Sequence, residues 1–424
     1  MESKATEPAT AEAPPRKGAM LTLFFTVLLD LLGFGMILPL LPFYAQEFGA
    51  SEFEIGLLLA VYSLAQLVMA PVLGLLSDRF GRRPVLLVAV SVGLFAYLLF
   101  AAPSLAFTPA WMRTHGIAVL LVARLLAGGA AATFAVAPAY IADILPAAER
   151  SKGMGLLGMA FGLGFIGGPA LGGLLGQWGL SAVALGPAAL SLVNVLLILF
   201  LLPESRQVRG AGQAKTPWLP TAGLRRLAHD RALSGLFLLL FVFTLCFSLM
   251  EATLALFLQF RFGFGQVETT WAFVYIGVLL VIVQGGLIGP LSKRFGDRRL
   301  AQVGIGLAAA GLLLIPVTGS LASMAVAGAL LAGGSGLYSP TSMSLISRIT
   351  PETSQGEIQG LSRSFGSLSR VLGPLAGTLL FERLGPRWPF HTSGAVMVVA
   401  LLAAWGLLAG LERRFVDRLP ASES

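Results

Sequence analysis

Long apolar runs separated by short polar breaks fill most of this 424-residue chain. A helix that crosses the hydrocarbon core of a bilayer needs about 20 mostly apolar residues, and such runs recur along the sequence. We identify twelve of them, near residues 20–44, 54–76, 84–102, 117–144, 153–175, 181–202, 233–260, 269–291, 299–318, 322–347, 359–381 and 393–411. The pattern predicts an all-α integral membrane protein with twelve transmembrane helices.

The composition points the same way and limits the chemistry. Hydrophobic residues make up 56% of the chain and charged residues 12%, which leaves too little polar surface to solvate a globular domain. The single cysteine, Cys246, lies inside a predicted span and the three histidines fall in or near loops, so no metal site is expected. No nucleophile–base cluster is apparent either, and we expect neither an enzyme nor a bound cofactor.

Lysine and arginine are concentrated in every second loop of this topology. If the N-terminal tail lies in the cytoplasm, the basic loop residues on the other side are only Arg113, Arg261, Arg383 and Arg387. This asymmetry follows the positive-inside rule and predicts that both termini are cytoplasmic. Since the formal charge of +8 is scattered over many short loops, it reports orientation, and we expect no nucleic-acid partner.

Two tails and one linker interrupt the apolar pattern. Residues 1–19 are rich in Ala, Pro, Glu and Lys and are predicted to form a disordered cytoplasmic tail. Residues 203–232 are predicted to be a cytoplasmic linker, because they are rich in Pro, Gly and basic residues. The linker separates an N-terminal six-helix half at 20–202 from a C-terminal six-helix half at 233–411, and a cytoplasmic tail follows at 412–424.

The two halves repeat one design. The loop sequence GLLSDRFGRRP at Gly74–Pro84 recurs as GPLSKRFGDRR at Gly289–Arg299. In a second register, Gly128 and Gly129 correspond to Gly333 and Gly334, and Gly168 with Pro169 corresponds to Gly373 with Pro374. Parallel six-helix repeats are typical of transporters whose substrate site lies between the halves near the bilayer midplane. The sequence therefore predicts two pseudo-symmetric six-helix bundles around a central site.

Four stretches carry a resemblance to a known family. They are the loop sequence at Gly74–Pro84, RLLAGGAAATFAVAPAYIAD at Arg124–Asp143, LLDLLGFGMILPLLP at Leu28–Pro42, and a glycine pattern in the fifth span. Together they resemble the major facilitator superfamily, and within it the drug/proton antiporters that include the tetracycline exporters. The fifth span matches their antiporter pattern at Gly155, Gly164, Gly168, Pro169, Gly172 and Gly173.

The first loop is expected to act as a conformational latch. In the resembled family its aspartate, here Asp78, docks on the other half, and its arginine, here Arg82, links it to the acid of helix 4, here Asp143. The alternative is ordinary turn chemistry with charge that fixes topology. In the second copy these positions hold Lys293 and Asp297, so the latch need not be symmetric. The latch prediction covers Gly74, Asp78, Arg79, Gly81, Arg82, Arg83 and Asp143.

The glycines of the fifth span recur at three- and four-residue spacing on one helical face. Small residues on such a face let a neighbouring helix approach closely, and Pro169 permits a bend. We expect this stripe to serve as a hinge and seal between helices, without ligand contact.

Four charged residues fall inside predicted spans: Asp30, Arg124, Glu251 and Arg370. Each costs about 2.5–3.5 kcal/mol at a helix centre on an insertion scale, so each is expected to be paired or functional. We interpret Asp30, Arg124 and Glu251 as the proton-coupling residues. A carboxylate in a low-dielectric cavity can take up a proton on one side and release it on the other, and Arg124 matches the arginine of helix 4 that the resembled family uses in coupling. Asp30 could instead form a structural pair with Arg124 or a helix-turn contact, and Glu251 could lie shallow enough to reach water. Arg370 needs a partner carboxylate or an anionic group of the substrate.

Polar side chains in the spans could line a central cavity, although hydrogen bonding between helices is an equally good explanation for each. The predicted lining residues are Tyr62, Gln66, Tyr275, Gln284, Tyr338 and Arg370. The tetracycline exporters carry further membrane acids in helices 3 and 9, whereas residues 84–102 and 299–318 contain neither Asp nor Glu. The resemblance therefore does not extend to tetracycline specificity.

The resemblance implies a secondary active transporter that exports amphiphilic small molecules in exchange for protons by alternating access. Protons as the coupling ion, a small amphiphilic substrate and the lipid bilayer are the expected partners of a monomer in a bacterial inner membrane. Two alternatives stay open at this point. One is a proton-independent carrier of metabolites or lipids, and the other is a membrane sensor that transports nothing.

Overall fold

The computed structural model describes residues 16–205, 221–351 and 354–416. Within them the chain folds into helices joined by short loops. The helices are α1 (Arg16–Ile37), α2 (Leu41–Gln46), α3 (Glu52–Phe80), α4 (Arg82–Ala101), α5 (Ala110–Thr114), α6 (Gly116–Gly129), α7 (Thr133–Ile144), α8 (Ala147–Gly176), α9 (Leu180–Leu201), α10 (Thr221–His229), α11 (Arg231–Phe262), α12 (Gln266–Ile282), α13 (Ile288–Leu314), α14 (Leu321–Ile349), α15 (Gln355–Leu384) and α16 (Trp388–Val416).

Nine helices of the described residues are long and apolar enough to cross a membrane. One of the nine, Gln266–Val317, is two crossings, because Gly296 leaves the helical conformation inside α13 and reverses the chain. A further crossing is split into α6 and α7, and α15 is 30 residues long but carries Arg363, Arg370 and several serines, which lower its hydropathy. The predicted twelve transmembrane helices are thereby confirmed.

Some predicted boundaries differ from those of the structure. Helix α1 begins at Arg16, inside the segment predicted as a tail, and residues 1–15 lie outside the described part of the chain. The predicted linker contains helix α10, whose Gly223 N–H donates to Glu357 Oε1 at the start of α15 (2.6 Å). Residues 206–220 of that linker and 417–424 of the C-terminal tail are also outside the described residues.

The two copies of the loop sequence reverse the chain in the same way. Gly81 follows α3 with φ 99°, and Gly296, at the equivalent position of the second half, has φ 78°. Side chains with a Cβ rarely adopt such angles, so both turns require glycine. We call the end of the molecule that carries these two turns the basic end, and the other the opposite end.

The two halves pack tightly together at the opposite end. A Cβ on Gly56 of α3 would lie 2.0 Å from Thr378 Oγ1 of α15, and one on Gly173 of α8 would lie 2.7 Å from Thr270 Cγ2 of α12. The Phe53 N–H, in the first turn of α3, donates to the carboxylate of Glu382 at 2.9 Å. This bond satisfies a donor that a helix start leaves free. The opposite end of the molecule is closed.

The halves separate toward the basic end. Gly74 of α3, Gly158 of α8 and Gly360 of α15 have no atom within 4 Å of the place where a Cβ would be. The same holds for Gly285 and Gly286 of the segment between α12 and α13. The hydrogen bonds that link the two halves within the described residues, Phe53 to Glu382 and Gln259 to Gln46, lie at the opposite end, so we take the space between the halves to face the basic end.

The crossing of α1 and α8 depends on glycine on both helices. A Cβ on Gly168 would lie 2.7 Å from the Cα of Gly35, a backbone atom that cannot rotate away. We expect Gly168→Ala to destabilise the protein by about 1–3 kcal/mol, the usual range for overpacking, and to lower its melting temperature in detergent. Gly158→Ala on the same helix is the matched control, because open space surrounds it. Equal melting temperatures for the two variants would contradict the proposed close crossing.

Candidate functional site

A cavity of about 270 Å³ lies between the two halves. Its walls are mainly apolar, with hydroxyl groups interspersed among aromatic rings. Helices α1, α3, α6 and α8 of the first half face α11, α12, α14 and α15 of the second. The aromatic side chains are Phe34, Tyr62, Phe165, Phe243, Phe247 and Phe273, and the hydroxyl-bearing ones are Ser63, Thr244, Ser248, Ser335 and Ser339. Such a lining suits a molecule with an apolar body and a few polar groups.

Arg124 is the most deeply buried charge in the cavity wall, with 2% of its surface exposed. Gly128, one turn further along α6, brings that helix close to α3, since a Cβ there would lie 2.2 Å from the Tyr62 carbonyl oxygen. The guanidinium group consequently lies over the Tyr62 ring, 4.5 Å from its centroid, and Nε donates to the Leu58 carbonyl at 3.3 Å. Its Nη1 is buried without a hydrogen-bond partner among the described residues.

Glu251 of α11 and Arg370 of α15 bring opposite charges to the other wall of the cavity. Glu251 is the single carboxylate among the described residues that line the cavity. Arg370 is exposed to the open space between the halves, and within the described part of the chain it forms neither a hydrogen bond nor an ion pair closer than 4 Å. The cavity therefore contains two guanidinium groups and one carboxylate.

Asp30 lies beside the cavity but does not line it. Its carboxylate accepts a hydrogen bond from Thr133 Oγ1, the first residue of α7. This contact exists because the fourth span is broken at residues 130–132, so a helix starts in the middle of the bilayer. The described residues contain no ion pair between Asp30 and Arg124, and the alternative of a structural pair between them is not supported.

The predicted cavity residues divide into two groups. Tyr62, Gln284 and Arg370 lie on the cavity wall. Gln66 is buried within the first half, with 8% of its surface exposed. Tyr275 donates to the Ala325 carbonyl at 3.1 Å, and Tyr338 stacks on Phe243 with ring centroids 4.0 Å apart. These three residues pack between helices, which was the alternative explanation.

Arg82 organises the first loop at the basic end. It is 6% exposed, and its guanidinium donates to Asp143 Oδ2 (2.8 Å) and Ser77 Oγ (2.6 Å) and pairs with Asp78 Oδ1 (2.8 Å). Arg83 donates to the Leu199 carbonyl at 2.6 Å. The structure thus brings together the three predicted latch residues within the first half.

The remaining latch residues have simpler surroundings. Arg79 is exposed and lies over the ring of Phe80, 5.2 Å from its centroid. Gly74 has no neighbour within 4 Å, and Gly81 forms the turn. Within the described part of the chain, none of these three forms a hydrogen bond or an ion pair with the second half.

Glu204 is a functional candidate that the sequence reasoning missed. Its carboxylate accepts from the backbone N–H groups of Arg82 (2.9 Å) and Arg83 (3.1 Å), the first residues of α4. Carboxylates stabilise helix starts in this way, since they satisfy free N–H groups and complement the helix dipole. The only sequence signal is an acid directly after the last apolar residue and proline of the sixth span.

The second copy of the loop repeats this arrangement with its charges reversed. Asp297, at the position of Arg82, is 7% exposed and pairs with Arg348 at 3.0 Å. Arg348 occupies the position of Asp143. Asp297 also accepts from Ser292, the counterpart of Ser77, and from Ser344 at 2.6 Å. An ion pair between an arginine and an aspartate thus joins these two positions in both halves, but the arginine and the aspartate have exchanged places.

The glycines of α8 mostly contact α1. A Cβ on Gly164 would lie 2.5 Å from Leu31 Cβ, and one on Gly172 would lie 2.8 Å from Leu40 Cδ1. Gly173 instead faces Thr270 of the second half, and Gly155 has open space around it. Pro169 lies on the cavity wall, while the absence of ligand contact along this stripe stays a prediction.

Comparison with known proteins adds to this geometry. The model of the Major Facilitator Superfamily matches residues 23–287 and again residues 279–423. The chain belongs to the major facilitator superfamily. Of its relatives in that superfamily, the class C tetracycline resistance protein of Escherichia coli is 32% identical over 373 residues, which is 87% of this chain and 91% of that protein. Multidrug resistance protein 2 of Bacillus subtilis (strain 168) is 27% identical, over 91% of this chain and 94% of that protein.

A solved structure of the superfamily has the same fold. The crystal structure of the human organic anion transporter MFSD10 (TETRAN) superposes with a TM-score of 0.68 at 25% identity, covering 92% of this chain and all of that one. The resemblance stated from the sequence is confirmed, as is the prediction of a multi-pass secondary active transporter of the drug-efflux kind. As a major facilitator protein the chain acts on small molecules within the lipid bilayer.

Proposed function

We propose that this chain exports amphiphilic small molecules in exchange for protons. The observation that carries the proposal is the central cavity, which is closed at the opposite end and open at the basic end, and which has a half-buried carboxylate, Asp30, next to it. A carboxylate in a low-dielectric site changes its proton occupancy when its surroundings change. Relatives named for resistance to tetracycline and to several drugs support export as the direction.

The proposal includes an orientation and a setting. By the positive-inside rule the basic end faces the cytoplasm, with both termini, and the membrane is a bacterial inner membrane. The structure then corresponds to the state that accepts substrate from the cell. The chain works as a monomer without nucleic acid, protons are its coupling ions, and it needs no cofactor and catalyses no covalent reaction.

The test uses the purified full-length protein in sealed liposomes with an internal pH dye. Cationic, neutral and anionic amphiphiles are added in turn, with tetracycline among them because relatives are named for it. We expect at least one compound to trigger proton movement. Glu251→Gln is expected to reduce that signal about tenfold or more, since it removes the one carboxylate of the cavity wall. Glu149→Gln, in the exposed first turn of α8, is the matched control.

The rival functions give different results in the same liposomes. Compounds that cross the bilayer without any proton signal would establish a proton-independent carrier. Compounds that bind but never cross would establish a membrane sensor. Either result would overturn the proposed exchange.

A further inference from the structure

We infer that the central cavity takes an amphipathic organic anion, bound through its negative group by Arg124 and Arg370. This inference names the substrate class and so rests on the proposed function of the cavity. It follows from the charges of the described residues that line the cavity.

Arg124 lacks a neutralising partner. A buried guanidinium group normally pairs with a carboxylate or has all its N–H groups bonded, because an uncompensated buried charge is costly. Here the described residues provide one carbonyl, one aromatic face and no carboxylate, while Nη1 donates to nothing. The group is 2% exposed and lies in the cavity wall. Since Nη1 is sealed from solvent in this structure, a ligand oxygen can supply the missing acceptor only when the side chains around Arg124 shift to admit it.

Arg370 adds a second positive charge that packing does not explain. In the aligned repeat its position corresponds to Phe165 of α8, which also lines the cavity. The second half thus places a guanidinium where the first has an aromatic ring. The described cavity wall has one carboxylate, Glu251, against two arginines. The lining carries a net positive charge with Glu251 ionised, and a larger one with Glu251 protonated.

The uncharged side chains of the cavity wall indicate whether a simple or an amphipathic anion fits. Six aromatic side chains from both halves share the described wall with aliphatic ones and with five hydroxyl-bearing side chains, so most of the surface that a ligand meets is apolar. Guanidinium groups recognise carboxylate, sulfonate or phosphate oxygens in a bidentate manner. The ligand that fits has such a group at one end and an aromatic or aliphatic body.

The inference gives Glu251 a distinct role. Its carboxylate competes with the anion for Arg370, so its removal should strengthen anion binding even while it impairs proton movement. A cationic substrate would show the reverse, since Glu251 would be its binding partner. This opposite sign distinguishes the two substrate classes.

The experiment measures equilibrium binding to the full-length protein in lipid nanodiscs by calorimetry. The probes are three pairs with matched bodies and opposite charges: phenylbutyrate and phenylbutylamine, indolepropionate and indolepropylamine, naphthylacetate and naphthylmethylamine. We expect at least one carboxylate to bind at least tenfold more tightly than its amine partner. Arg370→Gln should weaken this binding about tenfold or more, and Glu251→Gln should strengthen it.

Arg363→Gln is the matched control, because it removes an arginine seven residues earlier on α15 that does not line the cavity. Arg124→Lys keeps the charge but loses the planar donor set and should weaken binding less than Arg370→Gln. If no carboxylate binds more tightly than its amine, or if Arg370→Gln and Arg363→Gln have equal effects, the inference is wrong. Since binding is measured without a proton gradient, this result is independent of whether proton exchange occurs.

Discussion

Asp30→Asn is expected to abolish proton-coupled transport, with a loss of roughly 100-fold or more in substrate-driven proton flux, in line with the removal of a proton-transferring side chain. Asn has the shape of Asp and can still accept the hydrogen bond of Thr133, so the fold should persist. What the variant loses is the ability to bind and release a proton.

The reason to expect so large an effect is the position of Asp30 outside the cavity wall. If the substrate is an anion, protonation of Glu251 makes the lining more positive and favours the anion instead of displacing it, so Glu251 can contribute to proton movement but cannot drive the exchange alone. Exchange then requires a proton site outside the cavity wall whose protonation changes the conformation of the protein. Asp30 contacts the first residue of α7, and Asp143 near the other end of that helix binds Arg82.

Protonation of Asp30 at the start of helix α7 can be transmitted to Asp143 near its other end by a movement of the helix. Its 12 residues span about 18 Å, from the bilayer middle to the basic end. A charged Asp30 holds Thr133 and is favoured by the start of the helix, and a neutral one is held less strongly. A small displacement of α7 then reaches the pair of Asp143 with Arg82.

Counterflow is the measurement that separates this role from a structural one. Radiolabelled substrate should still exchange across liposomes that contain Asp30→Asn, because exchange of substrate for substrate needs no proton, while uphill transport should disappear. A variant that keeps its proton signal would show that Asp30 does not carry the exchanged proton. Loss of counterflow as well would point to a damaged fold and would contradict the role given to Asp30 alone.

Arg82→Asp is expected to have the second largest effect, and a triple variant should reverse most of it. The single change places a carboxylate beside Asp143 and Asp78 at a position where the native side chain is 8% exposed. Since the Asp143 side chain is 26% exposed, breaking the pair costs less than the roughly 3–5 kcal/mol of a fully buried pair. The pair with Asp143 dominates, because the Asp78 side chain is 50% exposed and such pairs contribute little.

The second half supplies the rescue. At the equivalent positions it has Lys293, Asp297 and Arg348, and Asp297 pairs with Arg348 at 3.0 Å in the same geometry. The variant that combines Asp78→Lys, Arg82→Asp and Asp143→Arg reproduces this set in the first half. It should recover most of the melting temperature in detergent and most of the transport rate that Arg82→Asp loses.

The control for this series is Lys152→Asp, a charge reversal at an exposed position of α8 near the same end. It should leave both measurements within error of the native protein. Failure of the triple variant to improve on Arg82→Asp would mean that the polarity of the first loop is itself required. In that case the site would not be interchangeable with its counterpart, and the proposed equivalence would be rejected.

Much of the architecture was predictable because it depends on local rules. Apolar run length gives the spans, and the repeated loop gives the two halves, since Gly81 and Gly296 occupy the same position and both need positive φ angles. The charged residues inside spans were identifiable from composition alone. Arg124, Glu251 and Arg370 line the cavity, because charged side chains of membrane helices face the interior of the bundle or a water-filled space and not the lipid.

Other features depend on contacts between distant segments. The break before Thr133 lies in an alanine-rich stretch that by propensity should be helical, so packing against α1 decides it. Glu204 reaches α4 from 122 residues away, as counted to Arg82. Tyr275 and Tyr338 could not be separated from Tyr62 by sequence, since the orientation of a tyrosine toward a neighbour or toward a cavity depends on how the helices are rotated.

The surplus of guanidinium groups in the cavity also decides what drives the transporter. Export of a monoanion in exchange for one proton moves two elementary charges in the direction favoured by a membrane that is negative inside. Each charge is worth about 2.3 kcal/mol per 100 mV, so voltage alone would supply about 4.6 kcal/mol per cycle at that potential. Exchange of a monocation for a proton moves no net charge and gains nothing from voltage. If the substrate is the proposed anion and one proton is exchanged for it, transport is electrogenic, and an ionophore that collapses the membrane potential should slow it even when the pH gradient is intact.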